Sequence, residues 1–301
     1  MKRQSGWCAI FILLFLIFKC SAIGQEDNAA YWFDKGNELL DNRSYEDAII
    51  FYDNAIQADS QFPEALTAKG IALVGLENYD EAINCFDKAI RINPEYAEAW
   101  CNKGLALAKG LGRYEEALDA SEKAIEISSQ DADFWNAKGI ALVGLGRYDE
   151  AMEAFDRSLE LNPSDGSTWN NRGNALFNQG KYDEAAIAYD EAIAINPKDA
   201  ESWNGKGLVL MSQKSFDEAK KAFEKAIDLN PQSASAWYNM GNCRGSQDKY
   251  EGALEAFEKS IELNPKDAYA WNNKGQALRD LGRDSEADAA FKKAEELGYS
   301  N

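Results

Sequence analysis

Histidine is absent from the 301 residues. Without an imidazole the chain has no histidine-centred triad, no imidazole general base and none of the zinc sites that rely on histidine. Positive charge is the second shortage: 32 Lys and Arg stand against 51 Asp and Glu, a formal net charge of −19 at pH 7. Binding to nucleic acid rests on clustered Lys and Arg that neutralise phosphates, so no nucleic-acid partner is expected. Cysteine is also sparse. Of the five, Cys8 and Cys20 fall in the first 24 residues; with those removed, Cys85, Cys101 and Cys243 remain, an odd, scattered trio without Cys-x-x-Cys spacing, which makes neither a disulfide framework nor a metal knuckle. Buried thiols acting as small apolar groups are expected instead. There is no Gly-x-x-x-x-Gly-Lys-Ser/Thr loop, no dinucleotide fingerprint and no EF-hand, so no cofactor is expected.

A long apolar run is missing too. The stretch from Ala9 to Phe18 holds ten residues, short of the ~20 that a spanning helix needs. It follows Lys2 and Arg3 and precedes Ser21-Ala22-Ile23-Gly24, so residues 1–24 read as a secretory signal peptide or, because Lys19 interrupts the cleavage region, as an uncleaved N-terminal membrane anchor. A lipidated Cys20 is a third reading, with Lys19 standing where the bacterial motif has a small residue. Each reading places the remainder outside the cytoplasm, secreted or tethered to the outer side of the membrane, and membrane contact comes only through a retained anchor.

What is present is repetition. An aromatic residue or leucine recurs at Trp32, Leu66, Trp100, Trp135, Trp169, Trp203, Trp237 and Trp271, each followed four residues later by glycine, from Gly36 to Gly275. The period is 34 residues, with one 35-residue unit where Lys109-Gly110-Leu111-Gly112 holds the extra residue. Within each unit apolar positions three and four apart predict a first helix, as in Trp169, Gly173 and Leu176. A polar break such as Gln179-Gly180-Lys181 follows, then a second helix with Tyr182, Ala185, Tyr189 and Ala192, closed by Asn196-Pro197.

Trp203, Gly207, Phe216, Ala219, Phe223, Ala226 and Pro231 fill all the signature positions of the tetratricopeptide repeat, which the chain closely resembles. The resemblance implies an all-α fold: a right-handed superhelical solenoid of eight helix-turn-helix repeats in residues 25–301, at 29–62, 63–96, 97–131, 132–165, 166–199, 200–233, 234–267 and 268–301. Ser60 and Ser129 replace the proline, Leu66 the tryptophan and Asp284 the tyrosine. A basic residue (Lys35, Lys69, Lys103, Lys138, Arg172, Lys206, Lys274) stands before the glycine where the family has an aliphatic one, and is expected to pack its stem and extend its charge to water. In the last unit Asp288 and Glu295 occupy positions that are mostly aliphatic elsewhere, as expected of a repeat that caps the array.

By the same resemblance, positions beside the tryptophan and after the glycine line a concave groove. They hold Asn136, Asn170, Asn204 and Asn272, then Asn102, Asn171, Asn239 and Asn273, then Asn37, Asn174 and Asn242. Side-chain amides both donate and accept, so such a series suits the backbone of an extended peptide, and it is similar to the asparagine ladder of the O-linked GlcNAc transferases. The carboxylate clamp of heat-shock cochaperones is not matched, because Phe33, Asn37, Ala68, Glu98 and Asn102 occupy its sites. Glu64, Glu98, Asp133 and Glu201 bias the groove toward neutral or basic segments. Acidic pairs such as Asp80-Glu81 and Asp183-Glu184 should open the second helices, and Asp119–Lys123, Glu153–Arg157 and Glu255–Lys259 should pair along helix faces.

Gly241-Asn242-Cys243-Arg244-Gly245 imitates a nucleophile elbow, but it falls in a helix and no histidine exists to activate the thiol. The expected protein is therefore a non-enzymatic interaction scaffold that takes a protein or extended peptide into its groove. The alternative is a structural, self-assembling module of a cell-envelope complex, and the sequence leaves the oligomeric state open.

Overall fold

The computed structural model describes residues 28–300; the signal peptide or anchor at 1–24, with Cys20, lies outside them. Among the described residues sixteen α-helices follow one another: α1 (Ala29–Asp41), α2 (Tyr45–Ala58), α3 (Pro63–Gly75), α4 (Tyr79–Ile92), α5 (Ala97–Leu111), α6 (Tyr114–Ile127), α7 (Ala132–Gly144), α8 (Tyr148–Leu161), α9 (Gly166–Asn178), α10 (Tyr182–Ile195), α11 (Ala200–Ser212), α12 (Phe216–Leu229), α13 (Ala234–Gly245), α14 (Tyr250–Leu263), α15 (Ala268–Asp280) and α16 (Asp284–Glu296). No strand occurs among the described residues, and none of their helices is long and apolar enough to cross a membrane. The described residues divide into two compact units, 28–154 and 155–300, the division falling inside α8.

All first helices but α3 and α5 start on side-chain caps: Asn28, Asp131, Asp165, Asp199, Ser233 and Asp267 each accept a backbone N–H of the first turn. Second helices open on acids, including Asp80-Glu81, Glu115-Glu116, Asp149-Glu150 and Asp183-Glu184, where the helix dipole favours negative charge. At Arg113, Arg147 and Arg283 the guanidinium forks onto Glu116, Glu150 and Glu286 three residues on.

The turn inside each pair but the third, where Arg113 N–H reaches the Leu107 carbonyl six residues back, is a Schellman motif. Lys181 N–H reaches the Leu176 carbonyl at 2.9 Å, Ser215 that of Leu210 at 2.8 Å and Lys249 that of Arg244 at 3.0 Å. The residue before each donor must adopt a left-handed backbone: Gly180 has φ 74°, but Lys214 and Asp248 hold φ 60° and 59° without the freedom of glycine. In the third repeat, which holds the extra residue, α5 runs 15 residues where most first helices run 13, and Gly112 closes it at φ 63°.

Inside a pair the two helices meet where glycine faces a ring. A Cβ on Gly207 would lie 2.5 Å from the Phe223 ring, and one on Gly36 would lie 2.4 Å from that of Tyr52. The third repeat departs: Ser121 stands where the ring would be, its hydroxyl donating to the Leu118 carbonyl, and bulk comes from Phe134, packed with Cys101 and Ala124.

Successive pairs are tied by the basic residues. Lys69, Lys103 and Lys138 in the first unit, and Arg172, Lys206 and Lys274 in the second, each bond an acid sixteen positions earlier on the preceding second helix, at 2.5 to 3.1 Å. All but Lys69 also sit 5.5 to 5.9 Å from the ring of their own repeat's tryptophan. Long stems pack as expected, but the charged ends are pinned between repeats. In the seventh repeat Met240 takes this position and is buried, and Glu224, sixteen residues earlier, pairs with Lys220 instead.

The expected pairs four residues apart are not the ones formed. Lys123, Arg157 and Lys259 bond Glu126, Glu160 and Glu262, three residues on, and Glu255 faces Arg244. On a solvated face each such pairing contributes only about 0.2–0.5 kcal/mol, so two neighbouring carboxylates compete almost evenly for one cation.

Candidate peptide-binding groove

The asparagines of the series bond mainly within the protein. In the first unit Asn37 accepts from the Tyr52 hydroxyl at 2.8 Å, and the Asn102 amide donates to the Glu98 carbonyl at 2.8 Å. Asn136 is half-buried on α7. In the second unit Asn174 accepts from the Tyr189 hydroxyl at 2.7 Å. Asn204 and Asn239 are buried and joined at 3.0 Å, one repeat apart. Asn273 donates to Asn242 at 2.9 Å and to the Tyr238 hydroxyl at 3.1 Å, and accepts from Asn272 at 3.1 Å. Asn170 and Asn171 are half-buried, and the Asn170 amide oxygen finds no partner among the described residues. The amide series is thus largely an inter-helix network, and its capacity for a ligand lies in whatever donors and acceptors these bonds leave over.

Two cavities in the second unit take in the last members of that network. One, of about 500 Å³, is walled by Met211, Phe257, Ala253 and Ala277 and carries Asn242, Asn273, Gln276, Ser246, Tyr250 and Asp280. The other, of about 510 Å³, is polar and shares Gln276; Asn272, Arg279 and Lys292 line it with Asp288, Glu295, Phe291 and Tyr299. Both volumes fall in the ~300–1,000 Å³ range of ligand sites, and an apolar wall with a few placed polar groups is their usual make-up. Gln276 links them and donates to the Asp280 carboxylate at 3.1 and 3.2 Å. Tyr250 donates to Asp248 at 2.7 Å, so a second carboxylate stands beside the first cavity.

Sequence reasoning missed Met211, Tyr250, Phe257 and Gln276. Gln276 was within reach, because it follows Gly275 as Asn37, Asn174 and Asn242 follow their glycines. Met211 was not: it lies in the repeat before the one it faces.

Cys243 of the elbow lookalike lies within α13, is fully buried and directs its Sγ at the Phe216 carbonyl 3.4 Å away. Burial pushes the Cys85, Cys101 and Cys243 thiols up, Cys101 to about 12, so they stay protonated near neutrality. Among the described residues no cluster of three acids or cysteines is placed to hold a metal.

Comparison with solved structures finds the same helical pairs. A chain of the APC/C hetero-tetramer Cut9–Hcn1 aligns with a TM-score of 0.74 at 16% identity, over 93% of this chain and 55% of that one. PilF of Pseudomonas aeruginosa aligns with a TM-score of 0.58 at 23% identity, over 66% of this chain and 89% of its own. MamA aligns at 27% identity over 53% of this chain and 93% of its own, with a TM-score of 0.48. Comparison with curated proteins finds no match. The tetratricopeptide repeat is matched at residues 29–62, 67–132, 136–200, 200–233, 234–267 and 256–289. Carrying that match through most of its length, in both compact units, the chain belongs to the tetratricopeptide repeat family.

Proposed function

We propose that this protein is a non-catalytic scaffold, held outside the cytoplasm, that takes an extended peptide into the groove of its second unit. An apolar side chain of the peptide sits against Met211 and Phe257, and its backbone meets the amides of Asn242, Asn273 and Gln276. The observation that carries this reading is the cavity itself: an apolar wall faced by three side-chain amides and a carboxylate. Tetratricopeptide repeats in general serve protein interaction, and the family match supports a partner of that kind. Asp280 in the lining, Asp248 beside it and a net charge of −19 favour a neutral to basic peptide over an acidic one. The positive start and short apolar run of residues 1–24 support the location.

A peptide array probed with the wild-type protein finds the ligand, and titration of the strongest binder into Met211→Glu and Gln276→Ala tests the groove. Both side chains are outside the asparagine network, and thermal melts check that the variants fold. Affinity is expected to fall at least tenfold for Met211→Glu and to move toward acidic peptides on Asp280→Lys. Unchanged affinity in folded Met211→Glu removes the groove from the account.

A further inference from the structure

In six repeats the tryptophan indole lies in a slot of fixed make-up. Its N–H donates to the backbone carbonyl six residues earlier at 3.0 to 3.1 Å, from Trp100, Trp135, Trp169, Trp203, Trp237 and Trp271. In five of them a cation three residues later lies 5.5 to 5.9 Å from the ring. The second repeat keeps the slot and lacks the indole. Leu66 stands in its place and is buried. The cation, Lys69, is present and held 2.5 Å from Asp53, as its counterparts are held by theirs. The carbonyl, that of Ser60, is present too, and the exposed Gln61 side chain donates to it at 3.3 Å where an indole N–H would. What remains is a cavity of about 480 Å³ within the first unit, bounded by Leu66, Lys69, Ile56, Ile92, Ser60 and Gln61.

A second departure meets the first in the same cavity. In four other repeats the basic residue near the end of the second helix is neutralised by a glutamate three residues on: Lys123 by Glu126, Arg157 by Glu160, Lys259 by Glu262 and Lys293 by Glu296. In the second repeat that glutamate is replaced by Arg91, so Lys88 and Arg91 stand together on the cavity wall. Neither makes an ion pair or hydrogen bond among the described residues. Lys88 and Arg91 thus stand over a hollow whose wall joins Leu66, Ile56 and Ile92 to the Asp53 carboxylate, Lys69 and Cys85.

We propose that this vacated indole slot is a docking site for an aromatic side chain, tryptophan above all, carried by a partner polypeptide with a carboxylate beside it. The ring lies on Leu66, Ile56 and Ile92 under the Lys69 ammonium, its N–H displaces Gln61 from the Ser60 carbonyl, and the carboxylate meets Lys88 and Arg91. The site lies in the first unit and is independent of the groove in the second.

The probe is the blocked peptide acetyl-Gly-Trp-Asp-Gly-amide, titrated into the full chain by NMR with a label on the peptide tryptophan. Saturable binding is expected, weakened at least tenfold when leucine replaces the peptide's tryptophan and several-fold when asparagine replaces its aspartate. Leu66→Trp fills the slot from within: it is expected to abolish binding while raising the midpoint of thermal unfolding, which separates occlusion from misfolding. Arg91→Glu restores the pairing of the other repeats, and is expected to weaken the acidic peptide at least fivefold and the asparagine peptide little. Undiminished binding to folded Leu66→Trp, no binding of the wild-type chain at the peptide's solubility limit, or concentration-dependent dimerisation that Leu66→Trp abolishes in place of peptide binding would each overturn the proposal.

Discussion

The Lys103 ammonium lies 2.7 Å from the carboxylate of Asp87, sixteen positions earlier and on the preceding repeat. The same side chain covers the Trp100 ring at 5.6 Å. Both partners are partly in water, with side chains 22% and 37% exposed, so the ion pair falls with those that contribute about 0.2–1 kcal/mol. A double-mutant cycle with Lys103→Met and Asp87→Asn is expected to give a coupling energy in that range, shrinking with added salt. A coupling of zero at low ionic strength means that the repeats are held without these clamps.

Adding a methyl to Gly207 forces a Cβ to within 2.5 Å of the Phe223 ring, which is fully buried and has nowhere to retreat. Overpacking of this kind costs about 1–3 kcal/mol. Gly207→Ala is expected to lower stability by that amount in urea denaturation, and Gly207→Ala with Phe223→Leu to recover part of it.

Lys214 and Asp248 hold the left-handed conformation that Gly180 holds in the equivalent turn. A side chain there costs roughly 1 kcal/mol or more. Lys214→Gly is expected to raise the unfolding free energy by about 0.5–1 kcal/mol, less than the full strain because glycine also frees the unfolded chain. Asp248→Gly is expected to raise it by less, because the substitution also removes the acceptor of the Tyr250 hydroxyl. Gly180→Ala is expected to lower it.

Burial raises the Tyr52 and Tyr96 phenols from 10.0 to about 12, helped by Asp41 for the first and by Glu98 and Glu64 for the second. Burial likewise raises the Cys101 thiol from 9.0 to about 12, with Asp133, Asp131 and Glu98 adding to it. Above pH 9 the unfolded chain sheds these protons while the folded chain keeps them, so the folded state binds more and stability falls as pH rises. Their contribution is therefore fully present below about pH 9 and is lost progressively toward pH 12. Denaturation midpoints at pH 7, 9, 10 and 11 are expected to hold level and then fall, and Tyr96→Phe with Cys101→Ala is expected to flatten that fall. The thiols should react with a disulfide reagent at pH 8 only after unfolding.

The helix-turn-helix register was legible because each tryptophan, glycine and alanine of the repeat reports a local packing need that recurs every 34 residues. Turn positions were legible where glycine marked them, as at Gly180, and not where Lys214 or Asp248 did the same work under strain. The role of Lys103 was hidden because its partner Asp87 belongs to a different helix pair. Only the shared sixteen-residue offset, repeated from Lys69–Asp53 to Lys274–Glu258, carries the signal. The asparagines were visible as a series, but their bonds to one another were not: Asn204 and Asn239 meet only because adjacent first helices bring them together. Met211 on the groove wall came from the neighbouring repeat in the same way.

The central claim is that the second unit seats a peptide against Met211 with Asn242, Asn273 and Gln276 facing it. Isothermal titration of an array-selected neutral or basic peptide into wild-type protein and Met211→Glu tests it most directly. The account predicts one saturable site in the wild type and a loss of at least tenfold in the folded variant. Equal affinities in the two proteins would contradict it.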